Sequence, residues 1–265
     1  HGGRRALAVD LDRVSMTPKP WTGRTAVITG ASRGIGLAIA QLAADRGIRV
    51  GVCARSPSPL AGREGVLAAE LDIRDADAVD DFTQAVSKAF GPIDLWINNA
   101  GILVPIAPVR DLDLEEFRAH IDINLTGALI GTRSFVRHRR AEGGGGVLIN
   151  ISSGAAWGAY EGWGAYCAGK AALERLTEVV AAEEAASGLR AHSVAPGVVD
   201  TDMQALIRDT PAERFPDRER FVERKRENNF NSAGYVAREL LALAFDPARK
   251  AKDVALRLED EAEAD

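Results

Sequence analysis

The sequence predicts one doubly wound α/β domain with a mostly parallel, seven-stranded sheet and helices on both faces. Three observations carry this. Short β-rich runs alternate with helical patterns from Thr25 to Leu258. No internal repeat or composition break divides the chain. The first strand passes directly into a glycine turn and a helix (TAVIT, GASRGIG, LAIAQLAADRG), the context in which open α/β sheets meet a ligand. A length of 265 residues with 46% hydrophobic side chains suits a single core that is stable without staples. The domain is expected over 21–258. Residues 1–20 lack strong periodicity, with Met16 a candidate natural start, and are expected to lie outside the fold.

The first strand is Thr25–Thr29, and Gly30-Ala31-Ser32-Arg33-Gly34-Ile35-Gly36 follows it. Glycines let a backbone approach a pyrophosphate, and the next helix offers free N–H groups and positive partial charge. Gly47 is placed to end that helix as a left-handed cap. The second strand, Ile48 to Ala54, ends without the acid that binds a ribose 2′-hydroxyl in NAD-specific proteins. Arg55 and Arg33 stand nearby instead, and guanidinium suits a 2′-phosphate. NADPH is therefore favoured over NADH. The Pro- and Gly-rich run Ser56 to Gly65 predicts a loop in place of the next helix.

Val66 to Ile73 is the third strand, with Asp72 at its end either accepting from an adenine amino group or capping the next helix. Asp75 is the better cap for the helix that follows. The fourth strand begins at Ile93 and runs into Asn98-Asn99-Ala100-Gly101, where Asn99 and Gly101 suit close backbone contact with a ribose and nicotinamide. Trp96 reads as core. Leu114 to Arg139 is predicted as one long helix. Within it, Asn124 is either a satisfied buried amide or a proton-relay residue, and His120 is a surface or supporting histidine. The Arg137-His138-Arg139-Arg140 cluster complements the helix dipole, and Gly143 to Gly146 reads as a flexible loop.

Val147–Ile151 is a buried fifth strand leading to Ser152 and Ser153, and the helix after it carries Tyr166 and Lys170 one turn apart. A phenol that exchanges a proton near neutral pH needs a cation close by. Lys170 is that cation, and Ser153 could hydrogen-bond the same substrate oxygen. The sixth strand spans Leu189 to Pro196. The charged stretch Gln204 to Ser232 reads as an inserted lid with one amphipathic helix, and Tyr235 to Ala244 as another helix. Val254 to Leu258 is a final edge strand, and 259–265 an acidic, disordered tail.

The net charge of −5 argues against nucleic acid, and no apolar run reaches membrane-spanning length. Cys53 and Cys167 lie in predicted elements, which suggests reduced thiols and a cytoplasmic protein. Four scattered histidines form no metal site.

Together these motifs resemble the short-chain dehydrogenase/reductase family from about Trp21 to Leu258. The resemblance rests on Thr29 to Gly36, Asn98 to Gly101, Asn124, Ser153, Tyr166-x-x-x-Lys170 and Pro196-Gly197, in order and at these separations. It implies a Rossmann-type NADPH-dependent carbonyl reductase. Tyr166 would donate a proton to the carbonyl oxygen that Ser153 holds, and Lys170 would contact the ribose and lower the pKa of Tyr166. Asn124 would anchor a water linked to Lys170. The resemblance places the cofactor along Gly30, Ser32, Arg33, Gly34, Ile35 and Gly36, then along Arg55, Ser56, Asp72 and Ile73. It continues past Asn99, Ala100 and Gly101 to Pro196, Gly197, Val199 and Thr201.

The segment from Pro196 to Gln204, with the insertion after it, is similar to the sepiapterin reductase and benzil reductase group. The late aspartate of sepiapterin reductases has no clear counterpart, and Lys250-Ala251-Lys252 stands where a glycine pair is usual. A diketone or aromatic ketone is therefore a better substrate than a pterin. Trp157, Trp163 and Met203 are candidate pocket residues, and either tryptophan could equally be core. A homodimer or homotetramer through the long helices is also implied.

Overall fold

The computed structural model describes residues 21–249 and 251–264. The expected extension 1–20 therefore lies outside the described residues. The chain enters the fold as β1 (Thr25–Thr29), α1 (Gly34–Asp45), β2 (Arg49–Ala54), β3 (Val66–Glu70), α2 (Ala76–Phe90) and β4 (Leu95–Asn98). Next come α3 (Leu114–Ile121), a π-helical segment (Asp122–Thr126), α4 (Gly127–Ala141), β5 (Val147–Ile151) and α5 (Gly164–Glu184). The last part holds β6 (Arg190–Ala195), α6 (Asp202–Asp209), α7 (Arg218–Arg226), α8 (Ala233–Phe245), β7 (Ala255–Arg257) and α9 (Glu261–Ala264).

The strands form one seven-stranded sheet in the order β3-β2-β1-β4-β5-β6-β7, and every pairing is parallel. The order reverses between β1 and β4, so the crevice for a ligand opens at their C-terminal ends. The central strands β1, β4 and β5 are buried throughout, as their unbroken apolar runs require when helices cover both faces. One core layer packs α1 and α8 on the sheet and the other packs α2, α4 and α5.

A polar network also crosses the core. Asn98 on β4 accepts from the Trp96 indole and donates to Ala128 O, Thr132 and Asn150, while Asn150 donates to Thr177 on α5. It ties two strands to two helices, with every buried amide group engaged.

The structure corrects the sequence reading at five places. β3 stops at Glu70, not Ile73. The Asp72 carboxylate binds both the N–H and the guanidinium of Arg74, which turns the chain, and Asp75 caps α2 by accepting from Ala78 N. The long helix is broken at Asp122–Thr126, where Gly127 N reaches back to Asp122 O. The glycine loop is pinned rather than free: Arg139 donates to Gly144 O and Gly145 O, and Gly145 N to Ser187 O. The insertion carries two helices, α6 and α7, because α6 already starts at Asp202. The acidic tail is anchored: Glu261 accepts from Ser232 N and Oγ, and its own N–H donates to Asn231 Oδ1.

Candidate active site

One cleft of about 1090 Å³ runs along the C-terminal ends of the strands. That exceeds the usual few hundred to 1,000 Å³ of a small-ligand pocket, which leaves room for a dinucleotide and a second molecule. The lining contains nearly all of the expected residues: Gly30, Ser32, Arg33, Gly34 and Ile35; Arg55, Ser56, Asp72 and Ile73; Asn99, Ala100 and Gly101; and Ser153, Trp157, Trp163, Tyr166 and Lys170. Pro196, Gly197, Val199, Thr201 and Met203 close it. Gly36 and Asn124 lie behind the lining.

Gly36 is needed for packing. A Cβ there would stand 2.4 Å from Asn99 Nδ2 and 2.5 Å from Gly30 O. The Asn99 amide donates to Thr29 O and Gly30 O, so it stitches the end of β4 to the glycine turn. Gly30 itself has φ +68°, and a Cβ would meet the Ala100 backbone at 2.8 Å. No side chain caps the N-terminus of α1. Its first-turn N–H groups and dipole therefore remain available to a pyrophosphate. The cleft volume, the bare turn and this uncapped helix together fit a nicotinamide dinucleotide.

The catalytic candidates converge where β5 meets α5. Ser153 is extended at the end of β5, its Oγ accepts from Ala155 N at 3.2 Å, and its hydroxyl lies near enough to the Tyr166 phenol to influence its titration. Tyr166 is 7% exposed, and burial raises its pKa against the smaller opposing effect of the nearby Ser153 hydroxyl. The phenol is thus held protonated, the state a proton donor needs. Lys170 is also buried and donates from Nζ to Ile151 O at 2.7 Å. Burial brings its pKa down to about 8. Its Nζ lies 5.6 Å from the Tyr166 ring centroid. In this structure desolvation outweighs the lowering of the phenol pKa that the sequence motif implies.

Asn124 sits in the π-helical segment. Its Oδ1 accepts from Ile102 N at 2.8 Å, and its Nδ2 donates to Ile102 O at 2.7 Å and to His120 Nε2 at 2.7 Å. The satisfied-amide reading describes this side chain. His120 is fully buried, its Nδ1 donates to Val104 O at 2.7 Å, and its ring meets Tyr166 edge-on at 6.0 Å. Those partners require the neutral Nδ1–H tautomer. Burial holds its pKa below the usual histidine range, helped by Lys170 and opposed by the Val104 bond.

Arg33 is engaged: its guanidinium pairs with Asp202 of α6 at 2.9 Å. Arg55 is exposed and has no ion pair among the described residues. Asp72 is clamped by Arg74, which holds its carboxyl below the usual range. Trp157 is half-exposed and donates to Glu174 at 2.6 Å. Trp163 resolves as both wall and core. It stacks on Phe215 (4.6 Å, 3°), meets Tyr166 edge-on at 5.6 Å, and touches Phe221 and Tyr160.

Sequence reasoning missed Tyr160, Phe221, Gln204, Arg220 and Arg224 as lining residues. The spacing of Phe215 and Phe221 in the insertion was the available signal.

The profile of the short chain dehydrogenase family matches residues 24–212. A benzil reductase ((S)-benzoin forming) of Bacillus cereus is 35% identical over 230 residues, covering 82% of this chain and 92% of that protein. A cis-4-hydroxycyclohexanecarboxylate dehydrogenase of Sinomonas cyclohexanicum is 36% identical over 204 residues, covering 73% of this chain and 82% of its own. The crystal structure of the KRED1-Pglu enzyme superposes with a TM-score of 0.80 at 31% identity, over 88% of this chain and 99% of that one.

Proposed function

The chain belongs to the short-chain dehydrogenase family, and from that premise we propose that it is an NADPH-dependent carbonyl reductase acting on an aromatic ketone or diketone. Membership makes it an oxidoreductase of alcohol and carbonyl groups that uses a nicotinamide cofactor. The observation that carries the finer reading is the convergence of Ser153, buried Tyr166 and buried Lys170 on one cleft that fits a dinucleotide.

A bound reduced nicotinamide supplies the hydride. The chain's residues do the rest. Ser153 and Tyr166 both present hydroxyls to the carbonyl oxygen, and Tyr166, kept protonated by burial, gives its proton to that oxygen as charge develops there. The Lys170 ammonium, close to the ring, favours the resulting phenolate. The glycine turn and the α1 N-terminus receive the pyrophosphate. Arg55, outside any ion pair among the described residues, supports the choice of NADPH, and Arg33 would join it by exchanging Asp202 for a phosphate. Trp163, Tyr160, Phe221 and Met203 form an aromatic and thioether wall suited to a flat ring.

The relative named as a benzil reductase supports the reductive reading. The relative named as a hydroxycyclohexanecarboxylate dehydrogenase supports a second one, oxidation of an alcohol by the same residues. A homo-oligomer is part of the proposal. Exposed Leu129 on α4 and Val179 on α5 support a face formed by those helices, and light scattering of the purified protein tests it. A cytoplasmic location is supported by the unpaired Cys53 and Cys167.

The test is oxidation of NADPH and NADH, followed by loss of nicotinamide absorbance, with benzil and a panel of aryl ketones. Tyr166→Phe is expected to abolish turnover and keep NADPH binding. A near-normal rate in that variant would sink the assignment.

A further inference from the structure

We propose that Arg220 and Arg224 on the lid helix α7 form an anion subsite, so that the carbonyl substrate carries a carboxylate beyond its aromatic portion. The proposal rests on the reductase reading above and names its substrate class.

The charge of the cleft runs against that of the chain. The protein as a whole carries −5. Yet six basic side chains line the cleft (Arg33, Arg55, Lys170, Arg220, Arg224 and Arg257) against three acids. Each of those acids is already paired: Asp72 with Arg74, Asp200 with Lys225 and Arg208, and Asp202 with Arg33. The cleft therefore presents a surplus of positive charge to whatever enters it, and low-dielectric walls focus that field.

The surplus on α7 is local and oriented. The helix carries five basic residues. Arg218 donates to Arg208 O, Lys225 pairs with Asp200, and Arg226 pairs with Glu219. The remaining two, Arg220 and Arg224, have no carboxylate within ion-pair distance among the described residues, and these are the two that line the cleft. They stand one turn apart on one face, so two guanidinium groups can converge on one anion. The helix that carries them is anchored on its adjoining face, and Arg224 also donates to Asn229 O at 3.4 Å. Phe221, next to Arg220, is buried against Trp163 and Phe215, each 5.6 Å away. Lys225, one turn after Phe221 on the same face, ties the helix to Asp200 at 2.5 Å.

The same contacts set the spacing. From Tyr166 the wall runs through Trp163 (5.6 Å) to Phe221 (5.6 Å), where the arginines begin. An aryl ketone with its carbonyl at Tyr166 lays its ring along this wall, and a carboxylate on the far side of the ring reaches α7. An alternative occupant, a phosphate of the cofactor, is decided by the test.

The experiment compares 4-acetylbenzoate with its neutral counterpart 4-acetylbenzamide, with NADPH, in the native protein and in R220Q/R224Q. The native protein is expected to prefer the carboxylate by about tenfold in kcat/KM, mainly through KM. The preference should shrink with added salt and fall to about one in the double variant. A native ratio of one, or a ratio the double variant leaves unchanged, overturns the subsite.

If neither ketone is reduced, the reductase reading fails on its own. The subsite is then judged by tryptophan-fluorescence titration of the NADP+-loaded protein with benzoate and benzamide. Tighter benzoate binding that is lost in R220Q/R224Q upholds it, and equal binding refutes it. A raised Kd for NADPH in the variant, with the benzoate-to-benzamide ratio unchanged, assigns the arginines to the cofactor and also overturns it.

Discussion

Replacing His120 by Ala tests the packing that holds Tyr166 in place. The ring is fully buried between Val104, Asn124 and Tyr166. Its removal leaves the Val104 carbonyl without its donor, at a cost of about 1–3 kcal/mol for a buried unsatisfied group. Asn124 keeps both bonds to Ile102 and loses one of three. The vacated volume and lost contacts add about 2 kcal/mol. The sum, about 3–5 kcal/mol, is a large share of the 5–15 kcal/mol typical of a domain. It should appear as a clear drop in the urea midpoint.

A second substitution isolates the ring. A Cβ at Gly169 would lie 3.2 Å from His120 Nε2. Gly169→Ala alone should therefore cost about 1–3 kcal/mol from overpacking. In the His120→Ala background the clash is gone and helix propensity favours Ala by up to about 1 kcal/mol. The double-mutant cycle should return a coupling of at least about 1 kcal/mol. Additivity of the two changes, or a loss below about 1 kcal/mol for His120→Ala, would refute the packing argument.

Other outcomes are expected on separate grounds. Arg55→Ala should raise the KM for NADPH by about tenfold or more while leaving that for NADH nearly unchanged. Equal effects on both would remove Arg55 from the 2′-phosphate role. Acid should destabilise the fold before its carboxylates titrate. His120 and His192 are buried with pKa values held below 6.5, chiefly by desolvation, so the unfolded chain takes up protons that the folded one refuses. Their contribution is complete above pH 6.5 and is lost as pH falls below it, at up to about 2.7 kcal/mol per pH unit for the pair. Denaturation midpoints that stay flat from pH 7 to 5 would contradict this. Gly131→Ala would put a Cβ 2.4 Å from Asn98 Oδ1 and 2.9 Å from the Trp96 indole nitrogen. It should lower the thermal midpoint by several degrees, and an unchanged midpoint would mean that the Asn98 network yields without cost.

The sequence by itself determined the parts whose signal is local. Strand, turn and helix could be read at Thr25 to Asp45 because period and glycine placement are properties of neighbouring residues. The Tyr166–Lys170 spacing set both side chains on one helix face before any tertiary contact was known. The missing acid after β2, an equally local feature, is one ground for the NADPH preference proposed above.

The tertiary structure decided what depends on residues distant in the chain. The side-chain partners of Asn124, Ile102 and His120, are met only in the fold, and the π-helical break that seats it has no local sequence mark. His120 was read as a supporting or surface residue, because nothing near it in sequence shows that Tyr166, 46 positions later, closes over its ring. Arg33 and Arg55 looked alike, yet of the two only Arg33 forms an ion pair among the described residues, since Asp202 arrives from the far side of the cleft. Arg220 and Arg224 were two charges among many in a polar insertion. Only the seating of Phe221 against Trp163 brings them to the edge of the cleft. Local propensity sets which elements form; which side chains meet is set by burying those elements together, and the chemistry of this cleft depends on that second step.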